Sequence, residues 1–406
     1  METIEFKNGL RAVLVPCEAE SVAVGVFVGC GSRDECAKTA GISHLIEHML
    51  FKGTSTRKPV DISRAIEGRG GNFNACTGEE MTCYYAHLPS EYLAEAVDIL
   101  GDMYLNALIP QDEFVREKEV VVEEIKMYAD EPEAVAAEKL QMNLFPGSQL
   151  GAPIAGSEKS LLPMTRGDLV RYIKSHYRAD NTVVVVVGDF DHDQATKEIW
   201  KRFSRLRRAK SAIRRKKEAF LRPVPLSTVA KDVQQTQLAV GYRTFGMDDE
   251  RKYAATVLDA VLGRGMSSRL FQEVREKRAL SYDISSRIGF FSDAGMFSVS
   301  AGTDSSKSVK ALATIDRELV RICQKAVPAS ELKRTKEFLS GNFRLSHERI
   351  ISKLFYYGQI MLAYGRIIDP QEQVDKIRAV TAAQVQAVAR EILRPENRSV
   401  SWVVPR

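Results

Sequence analysis

This chain has no apolar run approaching the roughly 18 residues that a membrane-spanning helix needs, so no bilayer span is expected. It also lacks any Cys-x-x-Cys pair. Its six cysteines (Cys17, Cys30, Cys36, Cys76, Cys83 and Cys323) are scattered, several of them in apolar strand-like runs, which points to buried free thiols in a reducing compartment. An excess of one charge is missing as well: a formal net charge of +5 over 406 residues, with 27% of residues charged, does not mark a nucleic-acid binder. Two catalytic loops are absent. Gly263-x-Gly265 followed by Ser267-Ser268 has no Lys-Ser/Thr ending and is not a phosphate loop, and no Gly-x-Ser-x-Gly nucleophile turn occurs. No basic-then-apolar or Arg/Ser-rich leader precedes the strand-like start of the chain, which gives a cytoplasmic location as the expectation; the mitochondrial matrix is the alternative if a presequence has been removed.

Histidine is scarce, at six residues, and this makes residues 44–48 the most informative part of the chain. They read His-Leu-Ile-Glu-His. On a helix, residues four apart project to the same side about one turn apart, so His44 and His48 can reach one ion, and Glu47 shares their face. Gly41 and Gly53-Thr54 bracket an otherwise apolar segment (Ile42, Leu45, Ile46, Met49, Leu50, Phe51) in which polar groups have no evident structural use. Two neutral imidazoles and one carboxylate from elsewhere would give zinc three protein ligands and leave a position for water, as in catalytic sites. Glu47 would then be placed to take the proton of that water. The best source of a third ligand is the acidic helical stretch 116–125, which contains Glu117, Glu119, Glu123 and Glu124.

With these residues in view, the chain resembles the inverzincin metallopeptidases of pitrilysin type, a family that includes insulin-degrading enzyme and the mitochondrial processing peptidases. Its length matches the half-size branch. The resemblance implies one Zn2+ per chain held by His44, His48 and Glu124, with Glu47 as the catalytic base. It also implies that Glu117, about two helical turns before Glu124, is the supporting acid that orients the site. Glu119 and Glu123 are read as a solvated helix face. Asn72-Phe-Asn-Ala-Cys-Thr77 resembles the family's edge strand beside the zinc, which makes Asn74 and Ala75 candidate contacts for an extended peptide adding by main-chain hydrogen bonds. Arg275-Glu-Lys-Arg-Ala-Leu-Ser-Tyr282 resembles the segment in which an arginine and a tyrosine contact the substrate carbonyl; a guanidinium and a phenol can both donate to a developing oxyanion.

The chain also reads as a tandem duplication. Val22-Ala-Val-Gly-Val26 is answered by Leu238-Ala-Val-Gly-Tyr242 at an offset of 216, and Ile109-Pro110 by Val327-Pro328 at an offset of 218. Strands are expected at 10–15, 21–28, 81–88, 182–187, 236–242, 282–290, 296–300 and 400–404, and helices at 92–105, 113–145, 309–322 and 329–364. Strands and helices that do not strictly alternate favour an α+β class: two homologous domains, each a mainly antiparallel sheet covered by helices, on one face. The expected division is a zinc-binding catalytic domain at 1–205, a basic linker at 206–222 and a second domain at 223–406. The linker lies in a dense basic run (Lys201, Arg202, Arg205, Arg207, Arg208, Lys210 and 214–217), read as a solvated connector. Carried forward by the same offsets, residues 44–48 land on Ala260-Val-Leu-Gly-Arg264 and Glu124 lands on Asn342, so the second domain has no equivalent metal site.

The expected activity is a zinc endopeptidase of processing-peptidase type that hydrolyses short or unfolded peptides. A non-catalytic scaffold subunit of the same fold and a zinc hydrolase of non-peptide substrates are the alternatives. Full-length relatives join four such domains into a clamshell, with the zinc in the first and the Arg/Tyr pair in the fourth. The resemblance therefore implies a homodimeric clamshell in which Arg275 and Tyr282 of one chain face the zinc of the other; a heterodimer with an inactive relative is the alternative.

Overall fold

The computed structural model describes residues 1–208, 215, 219 and 221–406; the centre of the basic linker, 209–214, 216–218 and 220, lies outside the described residues. The first sheet comprises β1 (Glu2–Glu5), β2 (Arg11–Pro16), β3 (Ser21–Val28), β4 (Asn72–Thr77), β5 (Thr82–Pro89) and β6 (Thr182–Gly188), in the spatial order β1-β2-β6-β3-β5-β4. Within it β2 and β6 run parallel and every other pairing is antiparallel. The second comprises β7 (Leu226–Lys231), β8 (Thr236–Phe245), β9 (Asp283–Phe290), β10 (Ala294–Thr303) and β11 (Arg398–Pro405), in the order β7-β11-β8-β10-β9, with β7 and β11 parallel. Both sheets are mainly antiparallel, as expected for the α+β class.

The expectation of one covered face is corrected: the central strands of each sheet are buried on both faces, while the edge strands keep exposed positions. Val22, Val24, Val26 and Val28 of β3 join Leu14, Tyr84, Ala86 and Leu88 in one core. Ala23 and Phe27, pointing the other way, join Val183, Val185, Val187 and Cys83 in a second. β6 has a run of five valines because a central strand with both faces covered has no side to give to water. The second core is closed by Leu354, Tyr357 and Met361 of the helix Ile350–Tyr364.

That helix lies far along the chain from the strands it covers. Contacts divide the chain into two compact units, one of residues 1–125, 152–216 and 345–368, the other of 126–151, 217–344 and 369–406. In the second unit the corresponding cover is the helix Pro132–Leu144, whose Ala136, Leu140 and Leu144 pack on Ala239 and Val403. Pro132 and Ile350 are separated by 218 residues, the repeat offset, so each half of the duplication gives one helix to the unit built mainly from the other.

The glycine shared by both repeat copies has a packing cause. A Cβ on Gly25 would meet the Phe27 ring at 2.7 Å and the Leu354 side chain at 3.2 Å, and one on Gly241 would meet Leu140 and Leu144 at 2.9 Å. A bare backbone lets each helix approach its sheet. Gly358 faces the same constraint from the helix side, because its Cβ would lie 2.5 Å from the Phe27 ring. Gly358→Ala is therefore expected to destabilise the fold by about 1–3 kcal/mol through overpacking, read as a lowered midpoint in denaturant. An unchanged midpoint would show that the helix can shift at no cost.

The first five α-helices in chain order are α1 (Ile42–Met49), α2 (Pro59–Glu67), α3 (Leu93–Asn106), α4 (Gln111–Asp130) and α5 (Pro132–Leu144). The continuous helix expected over 113–145 is broken at Glu131, which is extended (φ −90°, ψ 108°) because the following Pro132 disfavours helical geometry before it. The one expected over 329–364 divides into Ala329–Ser346 and Ile350–Tyr364. Of the basic run, Arg207 and Arg208 are exposed, but Arg215 departs from the solvated reading: its guanidinium donates to Asp34 at 2.6 and 2.9 Å and to the Gly29 and Glu80 carbonyls. Among the described residues no helix is long and apolar enough to cross a membrane.

Candidate metal centre

At eight residues α1 is too short to be stable alone, and its N-terminus is held from outside. The buried Glu35 carboxylate accepts from the amides of Gly41 and Ser43 at 2.7 and 2.8 Å. Burial pushes that carboxyl up to about 7, against the pull of these donors. Gly41 has φ +93°, and a Cβ there would meet the Ala155 carbonyl oxygen at 2.5 Å, so the turn into α1 requires glycine. Ile42, Ser43, Leu45, Ile46 and Met49 are buried; the three half-buried residues of the helix are His44, Glu47 and His48. The apolar stripe that fixes α1 to the core thus turns these three toward the site.

α4 supplies the carboxylates. Phe114, Glu117, Val121 and Val122 lie on its buried face, Glu124 is half-buried at the next turn, and Glu119 and Glu123 are exposed. The ligand atoms of His44, His48 and Glu124 lie within 4.8 Å of one another. Glu124 Oε1 is 3.7 Å from His44 Nε2, and Glu124 Oε2 is 3.4 Å from His48 Nε2. Ligands about 2.05 Å from a tetrahedral zinc are separated by about 3.3 Å, so these two spacings fit the ion closely.

At His44 protonation fits it too. Burial, with His48 nearby, pushes the His44 imidazole down to about 4, which keeps it neutral. Burial alone would lower His48, but the hydrogen bond and charge of Glu117, with Glu124 and Glu47, outweigh it and raise the imidazole. Glu117 Oε1 is 2.9 Å from His48 Nδ1, and a carboxylate there accepts from Nδ1–H, which leaves the Nε2 lone pair toward the ligand cluster. The other oxygen, Oε2, is 2.5 Å from Lys52 Nζ. Burial raises the Glu117 carboxyl, yet the bonds to His48 and Lys52 hold it below the usual glutamate range.

Glu47 lies outside the ligand trio. Its Oε2 accepts from Thr77 Oγ1 at the end of β4. Burial raises its carboxyl, opposed by the Thr77 hydrogen bond and by His48, so it is a stronger proton acceptor than an exposed glutamate. β4 is an edge strand of its sheet, pairing with β5 on one side. Asn74 is exposed and Ala75 half-buried, and the Ala75 amide donates to Asn74 Oδ1 at 2.8 Å.

Arg275 and Tyr282 belong to the second unit. Arg275 sits in a π-helical turn, Phe271–Glu276, with its guanidinium carbon 4.8 Å from the Phe271 ring centre and 5.0 Å from that of Tyr282. Tyr282 is 80% exposed. With Gln235 and Lys307 they line an open cleft of about 430 Å³.

Two residues at the site carried no assigned role in the sequence reading. Thr77 stood within the Asn-Ala-x-Thr run without a function, and only the fold shows it bonded to Glu47. Lys52 had a sequence signal, because it lies four residues beyond His48, one turn further along.

A two-unit α+β chain with a His-x-x-Glu-His helix and a glutamate from a second helix matches known proteins along nearly its full length. Residues 12–158 match the family described as Insulinase (Peptidase family M16), and residues 163–339 match the one described as Peptidase M16 inactive domain. An uncharacterized zinc protease of Mycobacterium leprae is 38% identical over 390 residues, 95% of this chain and 88% of the relative. The uncharacterized zinc protease YmxG of Bacillus subtilis is 35% identical over 400 residues, 98% of this chain and 97% of the relative. A crystal structure of a protease from Helicobacter pylori superposes with a TM-score of 0.92 at 21% identity, covering 100% of this chain and 99% of that one, a likeness of fold. The chain belongs to peptidase family M16, the insulinase family.

Proposed function

We propose that this chain is a zinc-dependent endopeptidase for short or unfolded peptides. The observation that carries this reading is the convergence of His44 Nε2, His48 Nε2 and the Glu124 carboxylate, with Glu47 beside them and tied through Thr77 to the edge strand β4. His44, His48 and Glu124 would hold a zinc ion, which would supply the Lewis acidity for water activation near neutral pH. Glu47 takes the proton from the attacking water and returns it to the leaving amine nitrogen. Glu117 holds the His48 ring. An extended peptide adds to β4 at Asn74 and Ala75 through its main chain, a mode that reads backbone shape more than side-chain identity.

Arg275 and Tyr282 complete the proposed site as donors to the substrate oxyanion, contributed in trans by a second copy in a homodimer. The scaffold reading draws on the match to an inactive domain, but that match begins at residue 163 and does not reach His44, Glu47, His48 or Glu124.

A strand-edge site needs a free extended segment, which a compact domain does not offer. The zinc-loaded protein is expected to cleave quenched peptides of about 10–30 residues, a length set by about 3.3 Å per extended residue, and to leave a stable folded protein intact. Comparable cleavage of the folded protein would overturn the substrate class. Failure of the loaded protein on a diverse peptide set would favour the scaffold.

A further inference from the structure

We propose that Lys52 is a positioning residue of the metal centre: its ammonium anchors one oxygen of Glu117 so that the other holds the His48 ring with Nε2 aimed at the ligand cluster. The proposal rests on the zinc-site reading above. Glu117 is 5% exposed, and its carboxylate has two polar partners among the described residues. They are His48 Nδ1 on Oε1 at 2.9 Å and Lys52 Nζ on Oε2 at 2.5 Å. With one partner removed, the carboxylate can turn about its last torsion and the ring it supports is no longer fixed.

Lys52 is well placed for this role. Its amide bonds to the Met49 carbonyl at 3.1 Å in the turn that closes α1, and Gly53, at φ +101°, leads the chain away immediately afterwards. Lys52 is thereby held one turn beyond His48, on the same side. An exposed ion pair is worth little, but Glu117 is buried, so removing Lys52 leaves a buried charge with half its compensation.

The test is zinc affinity, measured on metal-free protein by competition with a chromophoric chelator. Loss of an outer partner of a ligating histidine costs about 10–100-fold in metal affinity, and Lys52→Met is expected to show a loss in that range, with Lys52→Arg restoring most of it. In a Glu117→Gln background, Lys52→Met is expected to cost nothing more, because the group it acts through is gone. Should Lys52→Met not fold, Lys52→Gln serves for the same comparison. Parent-like affinity in the neutral variants, or an equal loss with and without the Glu117 carboxylate, would overturn the role of Lys52 alone. A parent chain that takes up no zinc would overturn the zinc-site reading and this proposal with it.

Discussion

Glu47→Gln is expected to bind zinc as the parent does and to cleave peptides about 10²–10⁴-fold more slowly, the usual worth of a positioned general base. The separation of binding from turnover follows from the geometry. The close cluster consists of His44, His48 and Glu124, and Glu47 stands beside it with one oxygen bonded to Thr77. Glutamine keeps the shape and can still accept from Thr77 through its amide oxygen, but it cannot take a proton from water. Glu47 is half-buried, and its burial raises the carboxyl, so replacing it removes an acceptor whose basicity the fold has increased. Parent-like turnover in this variant would mean that another group is the base.

Mixing two inactive variants should restore activity if the site is completed between chains. A Glu47→Gln chain keeps Arg275 and Tyr282, and an Arg275→Ala chain keeps its own Glu47 and metal ligands. In a hybrid dimer one of the two sites then has every group intact. With free exchange half the dimers are hybrids, so the mixture should recover about a quarter of parental activity from two nearly inactive preparations. The exposure of Tyr282 on an open cleft suits a group that meets substrate outside its own unit's core. Exchange demonstrated by mass spectrometry without any recovery would place the site within one chain.

Much of the fold was legible because its strands are strongly apolar. The valine run of β6 and the alternating face of β3 could be placed from sequence. β1 and β7 were not, since both are short and largely solvent-facing, and β7 gains its order by pairing in parallel with β11. The exchange of helices between units was illegible for a different reason. A repeat offset records that two helices correspond but says nothing of which sheet each covers, and an apolar face on 350–364 would suit either. At the site, the spacing of His44 and His48 follows from helical geometry and was readable at once. The choice of Glu124 over its neighbours came from resemblance, and the fold supplies the physical distinction: Glu124 turns inward beside the imidazoles while Glu119 and Glu123 face solvent. Lys52 lies at a readable spacing from His48, but its contact with Glu117, like that of Thr77 with Glu47, joins residues distant in sequence and no local pattern encodes it.

Zinc content decides most directly whether these residues form a catalytic metal centre. Elemental analysis of the purified parent beside Glu124→Ala, paired with peptide cleavage before and after chelation, tests it in one preparation. One zinc per parent chain is expected, with little retained by Glu124→Ala and with cleavage lost to the chelator and regained on adding zinc. A parent chain that cleaves peptides without zinc, or a Glu124→Ala chain that keeps its full complement of the metal, would contradict it.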